Sequence, residues 1–202
     1  MAGRGREWMV GLAVLAGLLG SDRTVTAETR EPLRIGLLLI DQADVEPAVL
    51  ARARDEAARI YSGLGITLVW TGADGVQVDY RFTVKIIAKA IVGKGVDGRA
   101  MGVAPGTRET RGTLAYAFYG RIKDVTRTIG ADTGLILGHV IAHEIGHLLL
   151  PYDSHATSGL MQGGWDQEQA RRAEMGWLTF TPDEAALIWG RQETVSGTAA
   201  RR

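Results

Sequence analysis

The fold prediction starts from the stretch DTGLILGHVIAHEIGHLLL, residues 132–150. It is apolar nearly all round and is followed by Pro151, as expected of a buried helix that ends where proline cannot continue it. Small residues recur along it every four positions, at Gly134, Gly138, Ala142 and Gly146. Such a stripe lets a helix lie close against a neighbouring helix or sheet. The stretch therefore predicts a central helix packed tightly inside a domain.

All four histidines of the chain fall within one short window: His139, His143, His147 and His155. Residues four apart on a helix point the same way and lie about 6 Å apart along the axis. This spacing lets the imidazoles of His143 and His147 converge on one Zn²⁺ ion at about 2.1 Å each. Glu144 lies beside that pair, where its carboxylate can take a proton from a bound water and hand it to a leaving amine. The motif HEIGH thus indicates metal-assisted hydrolysis.

Burial favours a metal site over histidines that are satisfied by hydrogen bonds in the core. Two histidines and a glutamate in an apolar helix carry a desolvation cost, which a metal ion and its water would offset. His139 lies two turns, about 12 Å, from His147, and one ion cannot reach both. Because Glu144 belongs with the pair that follows His139, we expect His139 to be a packed residue that supports the site.

A catalytic zinc ion takes a third protein ligand and keeps an open fourth position. The sequence offers His155 and Asp153 on a segment that could double back to the metal after Pro151. Glu168 or Glu174 would serve instead if the third ligand came from a later helix. The residues alone do not decide which of these four side chains is the third ligand.

The order HEIGHLLLPYDSH, followed by Gly159, Leu160 and Met161, resembles the metzincin clan of zinc endopeptidases, in its matrixin-like and archaemetzincin-like form. The resemblance implies a twisted mixed sheet packed against the zinc helix, with a small helical C-terminal subdomain. It also implies that a histidine, or occasionally an aspartate, returns as the third ligand and that Met161 lies in a turn beneath the metal. A peptide substrate would pair with an edge strand of the sheet, for which residues 114–122 are the candidate.

Two features depart from the pattern of the clan. Leu150 and Pro151 replace the glycine that ends the helix, and His155 arrives two positions later than the usual third histidine, whereas Asp153 has the usual spacing. We favour His155 as the partner of the HEIGH pair, because imidazole is the commoner zinc ligand and the proline shifts the end of the helix.

The chain before the central helix starts with a strand, a helix and a strand. Residues 33–41 and 66–71 are apolar runs of strand length, and residues 46–64 between them carry apolar side chains at helical spacing. Gly63 and Gly65 mark the end of this helix. The order predicts a right-handed crossover into a mixed sheet covered by helices, in an α+β or α/β domain.

The remaining segments are less regular. Residues 76–88 have the pattern of a strand or hairpin, and residues 89–113 that of a long surface loop. Residues 114–122 have the pattern of a strand with one solvent-exposed face. After the central helix, capping residues at Asp166 and Thr181 open two surface helices that close the domain.

Composition limits the class of partner. The 202 residues include 46% apolar and 23% charged residues, enough for one globular domain, and the 23 acidic and 23 basic residues balance. A balanced charge argues against nucleic acid as a partner and favours a peptide or protein substrate. The absence of cysteine excludes a thiolate metal site and a cysteine nucleophile.

The first residues have the pattern of a secretory signal peptide. MAGRGRE supplies a positive start, WMVGLAVLAGLLG an apolar core, and Val25 to Ala27 a small-residue cleavage site. An uncleaved membrane anchor is the alternative, although the apolar run is shorter than the ~18 residues of a spanning helix. Export without disulfides is typical of bacterial secreted or periplasmic proteins. We expect no stable membrane span after cleavage.

The predicted organisation is a signal peptide over residues 1–27, a zinc metallopeptidase domain over 28–190 and a flexible tail over 191–202. The predicted function is zinc-dependent endopeptidase activity, with His143, His147 and His155 as ligands and Glu144 as the proton carrier. Two alternatives remain: an exported zinc-binding domain with little turnover, and a gluzincin-type peptidase that uses a later glutamate.

Overall fold

A computed structural model describes residues 32–70, 76–91, 97–107, 112–152 and 154–199, with side chains up to residue 190. The predictions for residues 1–27 lie outside this part of the chain. The described elements are, in chain order, β1 (Leu33–Gln42), α1 (Pro47–Ser62), β2 (Ile66–Trp70), β3 (Tyr80–Ile87), β4 (Gly102–Val103), β5 (Leu114–Phe118), α2 (Tyr119–Ile129), α3 (Thr133–Leu149), α4 (Gln167–Glu174) and α5 (Pro182–Ala199). None of these helices is long and apolar enough to cross a bilayer.

The five strands form one mixed sheet in the order β2-β1-β3-β5-β4. Strand β1 pairs in parallel with both β2 and β3, and β3 pairs in parallel with β5. Only β4 runs antiparallel, against β5, and it forms the outer edge. The predicted order of a strand, a helix and a parallel strand over β1, α1 and β2 is confirmed, and so is a mixed α/β architecture.

One face of the sheet is covered by helices and the other is more open. Leu33, Ile35 and Leu37 on one side of β1 are buried, whereas Leu38 on the other side is 42% exposed. Strand β3 alternates in the same way, with every second residue buried. Because successive side chains of a strand point to opposite faces, the buried set marks the side on which the helices pack.

Helices α1 and α3 pack closely at the small-residue stripe. A Cβ atom built on Gly138 would lie 2.7 Å from the carbonyl oxygen of Ala53 and 2.7 Å from Cβ of Glu56, both on α1. A Cβ on Gly134 would lie 2.7 Å from Cβ of Arg52. Real Cβ atoms essentially never come this close, so the two helix backbones approach to a distance that only glycine permits. The predicted function of the stripe is confirmed.

Local sequence signals set both ends of α3. The side chain of Asp132 accepts a hydrogen bond from the backbone N–H of Leu135 at 2.6 Å, which caps the first turn. At the other end Leu150 has φ −82° and ψ 166°, an extended conformation. Proline disfavours the helical conformation in the residue before it, so Pro151 ends the helix without a glycine.

The segment 114–122 differs from the prediction of one long strand at the edge. Strand β5 ends at Phe118, and α2 starts at the next residue. Strand β5 also lies between β3 and β4, so it is an interior strand, and the prediction that it forms the edge was wrong. The edge strand β4 lies inside the predicted loop 89–113, and it is held by antiparallel pairing of Gly102 with Ala117.

Helix α5 also runs further than predicted. Its backbone is helical through Ala199, over part of the stretch that the sequence assigned to a flexible tail. No proline interrupts the chain after Pro182 at its first turn, and a helix that has formed its first turn extends at little further cost.

Candidate metal centre

Three histidines meet at the C-terminal half of α3. His143 and His147 come from the helix, and His155 comes from the segment that follows it. One ligand nitrogen from each ring lies within 4.8 Å of the others, and Nε2 of His143 lies 3.0 Å from Nε2 of His147. Tetrahedral zinc at about 2.1 Å from its ligands sets their nitrogens about 3.4 Å apart. These three side chains are therefore close enough to hold a metal ion.

Hydrogen bonds from the far side of the rings orient the two helical histidines. Nδ1 of His143 donates to the carbonyl oxygen of Leu160 at 2.7 Å, which leaves a lone pair on Nε2. Nδ1 of His147 lies 3.1 Å from the hydroxyl of Ser154. Metal-binding histidines are held in this way by a partner on the other ring nitrogen, which fixes the ring and the tautomer.

His155 reaches the pair because the chain turns back after Pro151. The backbone N–H of Ala156 bonds to the carbonyl of Met161 at 2.9 Å, which closes a short loop. Gly159 within this loop has φ 78°, a conformation that favours glycine. A Cβ on Gly163 would lie 3.5 Å from the ring of His155, so the backbone of residue 163 flanks that ring. His155 itself remains exposed to solvent.

Both helical histidines are neutral at pH 7. Burial lowers the pKa of His143 to about 4, although its bond to Leu160 opposes the shift. Burial, together with the neighbouring His143 and His155, lowers the pKa of His147 to about 3. A metal ion binds the neutral imidazole, so no proton has to be displaced from these rings at neutral pH.

Glu144 is a buried carboxylate at the same place. Its side chain is 4% exposed, and burial raises its pKa to about 8. The oxygen Oε2 has no hydrogen-bond partner among the described residues. An unsatisfied buried carboxylate oxygen is costly and needs a compensating partner. A cation on the three histidines, with a water beside it, would supply that compensation and favour the ionised carboxylate.

A cleft of about 720 Å³ opens at these residues. Its walls come from residues 101–104 around β4, from α3 and from residues 162–165, and Tyr152 lies at the exposed side. The three histidines and Glu144 all line it. The candidate metal site is therefore open to a molecule larger than water.

Met161, the methionine that the resemblance assigns to a turn beneath the metal, packs against α3. It is fully buried, and a Cβ on Gly146 would lie 2.5 Å from its sulfur. Since Gly146 is next to His147, the thioether packs directly under the helical turn that carries the ligands. The contact between Met161 and the helix is one of packing.

The structure describes three of the four candidates for the third ligand: His155, Glu168 and Glu174. Among the described residues the metal-capable cluster contains the three histidines alone. Glu168 and Glu174 lie on α4, and Glu168 forms an ion pair with Arg172 at 3.0 Å. Asp153 lies outside the described residues.

His139 is a core residue, as predicted. It is fully buried, and Nδ1 donates to the carbonyl of Leu135 at 3.0 Å. Nε2 lies 3.5 Å from the carboxylate of Glu56, and the ring packs edge-on against Trp165. Burial lowers the pKa of His139, so the ring is neutral, whereas the hydrogen bond from Arg59 keeps Glu56 ionised although burial opposes this.

Sequence reasoning missed three contributors to the site. Ser154 precedes His155 and orients His147, the Leu160 carbonyl orients His143, and Gly102 lies against Glu144. The position of Ser154 beside a ligand was a usable signal. The Leu160 carbonyl and Gly102 could not have been found in this way, because a backbone group and a glycine in a predicted loop give no signal in the sequence.

Comparison of the sequence with protein-family models and with curated proteins found no match. The chemistry of the site is therefore inferred from its own residues.

Proposed function

We propose that this chain is a zinc-dependent endopeptidase that cleaves protein substrates outside the cytoplasm. One observation carries the proposal: three imidazole donors line the same cleft as a buried carboxylate, one oxygen of which has no hydrogen-bond partner among the described residues. A site that served only structure would be closed by a fourth protein ligand and would not need the glutamate.

Zinc is the metal that this donor set favours. Among the described residues the cluster offers three imidazoles and no carboxylate, and the chain has no cysteine. Such a donor set suits a tetrahedral ion with one open position. When bound, zinc supplies a Lewis acid that makes a water more acidic and polarises the carbonyl of the scissile bond.

Glu144 would carry the proton. Its carboxylate lies one residue from His143 on α3 and lines the cleft. In the ionised form it accepts a proton from the attacking water, and in the protonated form it donates that proton to the leaving amine. Its burial excludes bulk water from the carboxylate, which strengthens these interactions.

A peptide substrate would lie along β4. This strand pairs with β5 on one side and forms the edge of the described sheet on the other. An extended peptide can add to such an edge by main-chain hydrogen bonds. Gly102 of β4 contacts the carboxylate of Glu144, so a peptide on this edge would pass the proton carrier and the histidines.

The resemblance to the metzincin clan belongs to this proposal. It is supported by the return of His155 after α3, by Met161 beneath the helix and by a mixed sheet that precedes the helix. The proposed location is secreted or periplasmic, which the leader-like N-terminal sequence and the absence of cysteine support.

The proposal is tested by cleavage of an unfolded protein such as casein, with the zinc-loaded wild type beside Glu144→Ala. Wild-type cleavage that disappears in Glu144→Ala, while both proteins hold zinc, is the expected result. Zinc binding without cleavage of any unfolded substrate would favour the zinc-binding domain that lacks turnover. Unchanged zinc affinity in His155→Ala would favour the gluzincin-type alternative.

A further inference from the structure

Gly102 of β4 is in direct contact with Glu144. A Cβ atom at position 102 would lie 2.5 Å from Oε1 and 2.8 Å from Cδ of Glu144. It would also lie 2.7 Å from the carbonyl oxygen of Tyr116 on β5. Real Cβ atoms essentially never approach heavy atoms within 3.0 Å, so only a hydrogen atom fits at this position.

The need for glycine here comes from space and not from backbone conformation. Gly102 is absent from the glycines with positive φ, a group that includes Gly130 and Gly159. It pairs with Ala117 as an ordinary residue of an antiparallel strand. An alanine would therefore fit the backbone at position 102, and the atoms it would meet are those of Glu144 and Tyr116.

The carboxylate of Glu144 depends on this contact for its position. Its Oε2 has no hydrogen-bond partner among the described residues, and burial is the cause of its pKa shift, with no charged neighbour contributing. A buried side chain without a hydrogen bond is held by the atoms that surround it. On the side of the edge strand, those atoms are the backbone of Gly102.

We propose that Gly102 is a positioning residue for Glu144. Because glycine has no side chain, the carboxylate of Glu144 can lie against the edge strand β4, in the cleft that the histidine cluster lines. The inference rests on the proposed function of Glu144 as the proton carrier. It assigns to β4 a second role besides substrate pairing: its backbone sets where the proton is taken up.

The test compares Gly102→Ala with Gly98→Ala, both zinc-loaded, by steady-state cleavage of a fluorogenic peptide or casein. To move from 2.5 Å to the 3.4 Å of an ordinary contact, Oε1 has to shift by about 0.9 Å. A misplacement of this size costs about 100-fold in rate. We expect Gly102→Ala to lose about 100-fold in kcat with KM nearly unchanged and zinc content retained. Gly98, whose Cβ position has no heavy atom of the described residues within 4 Å, provides the matched control with wild-type kcat.

A double-mutant cycle separates positioning from damage to the strand. Aspartate at position 144 is one methylene shorter and does not reach Gly102, so Gly102→Ala should cost little further activity in a Glu144→Asp background. The clash with the backbone oxygen of Tyr116 should lower the unfolding temperature of Gly102→Ala equally in both backgrounds. Equal fold losses of kcat in both backgrounds, or lost zinc in Gly102→Ala, would show a structural role of the strand and overturn the inference.

The two proposals fail in distinguishable ways. If Glu144→Ala cleaves like the wild type, the proposed function is wrong and the inference falls with it. If Glu144→Ala is inactive but Gly102→Ala keeps the wild-type kcat, the proposed function stands and only the positioning role of Gly102 is refuted.

Discussion

Replacement of Gly138 by alanine tests the packing that places α3 in the molecule. The new Cβ would meet the carbonyl oxygen of Ala53 and Cβ of Glu56 at 2.7 Å each. Neither atom can rotate away, because one is backbone and the other is attached directly to it. Overpacking of this kind costs about 1–3 kcal/mol, and we expect the upper end here. Alanine recovers about 1 kcal/mol through its helix propensity, so the net destabilisation should be about 2 kcal/mol.

Gly190→Ala provides the matched control. Gly190 lies in helix α5, and no heavy atom lies within 4 Å of its Cβ position, so the propensity gain of up to about 1 kcal/mol should appear undiminished. Urea and thermal unfolding of both variants with excess chelator keep metal binding out of the comparison. Gly138→Ala should unfold about 4–8 °C below the wild type. A Gly138→Ala variant as stable as Gly190→Ala would refute the close approach of α1 and α3.

Three further predictions concern the site and the core. Ser154→Ala removes the partner of His147 Nδ1 and should weaken zinc binding about 10- to 100-fold in a chelator competition, whereas Ser158→Ala, at an exposed position of the same segment, should not. Zinc at 100 times its Kd should raise the free energy of unfolding by about 2.7 kcal/mol, and this increment should be absent in His143→Ala. Burial raises the pKa of Tyr61 well above its ordinary value of 10.0, so the unfolded chain loses the phenol proton first and stability should fall as the pH rises above 10.0. Tyr61→Phe should reduce that alkaline loss, while Tyr119, whose pKa burial also raises, keeps part of it. The substitution should cost about 1 kcal/mol at neutral pH through the lost hydrogen bond to Ala142, and an unchanged alkaline profile would contradict the role of Tyr61.

The central helix was predictable because several local signals agree there. Its apolar circumference, the capping aspartate Asp132 and the proline after Leu150 set its two ends, and the structure has them at Thr133 and Leu149. The order β1, α1 and β2 was predictable for a similar reason: apolar runs mark the two strands, and Gly63 and Gly65 mark the end of the helix between them.

Helix α2 was not predictable from the same signals. The residue before it, Phe118, provides no side-chain cap, and neither glycine nor proline separates it from β5. The alternation of LAYAFYGRI therefore continues past the true end of the strand. Strand β4 was missed because it contains two residues in a glycine-rich segment, and its pairing with β5 is a tertiary contact that leaves no period in the sequence.

In the candidate metal site, too, the features that local spacing sets were predictable, and those that tertiary contacts set were not. The pair His143 and His147 followed from helical spacing alone. The position of His155 depends on how the chain turns after Pro151, and that path is set by contacts such as the one between Ala156 and Met161. Spacing in the sequence does not determine such a path, so the residues alone favoured His155 through the chemistry of its side chain, and the structure brings its ring close to the pair.

The most direct test of the account is the zinc content of the purified full-length chain, measured by elemental analysis beside single-alanine variants. We expect one zinc ion per chain in the wild type, in Glu168→Ala and in Glu174→Ala, and none in His143→Ala or His155→Ala. A wild-type chain without zinc, or a His155→Ala variant that keeps it, would contradict the three-histidine centre.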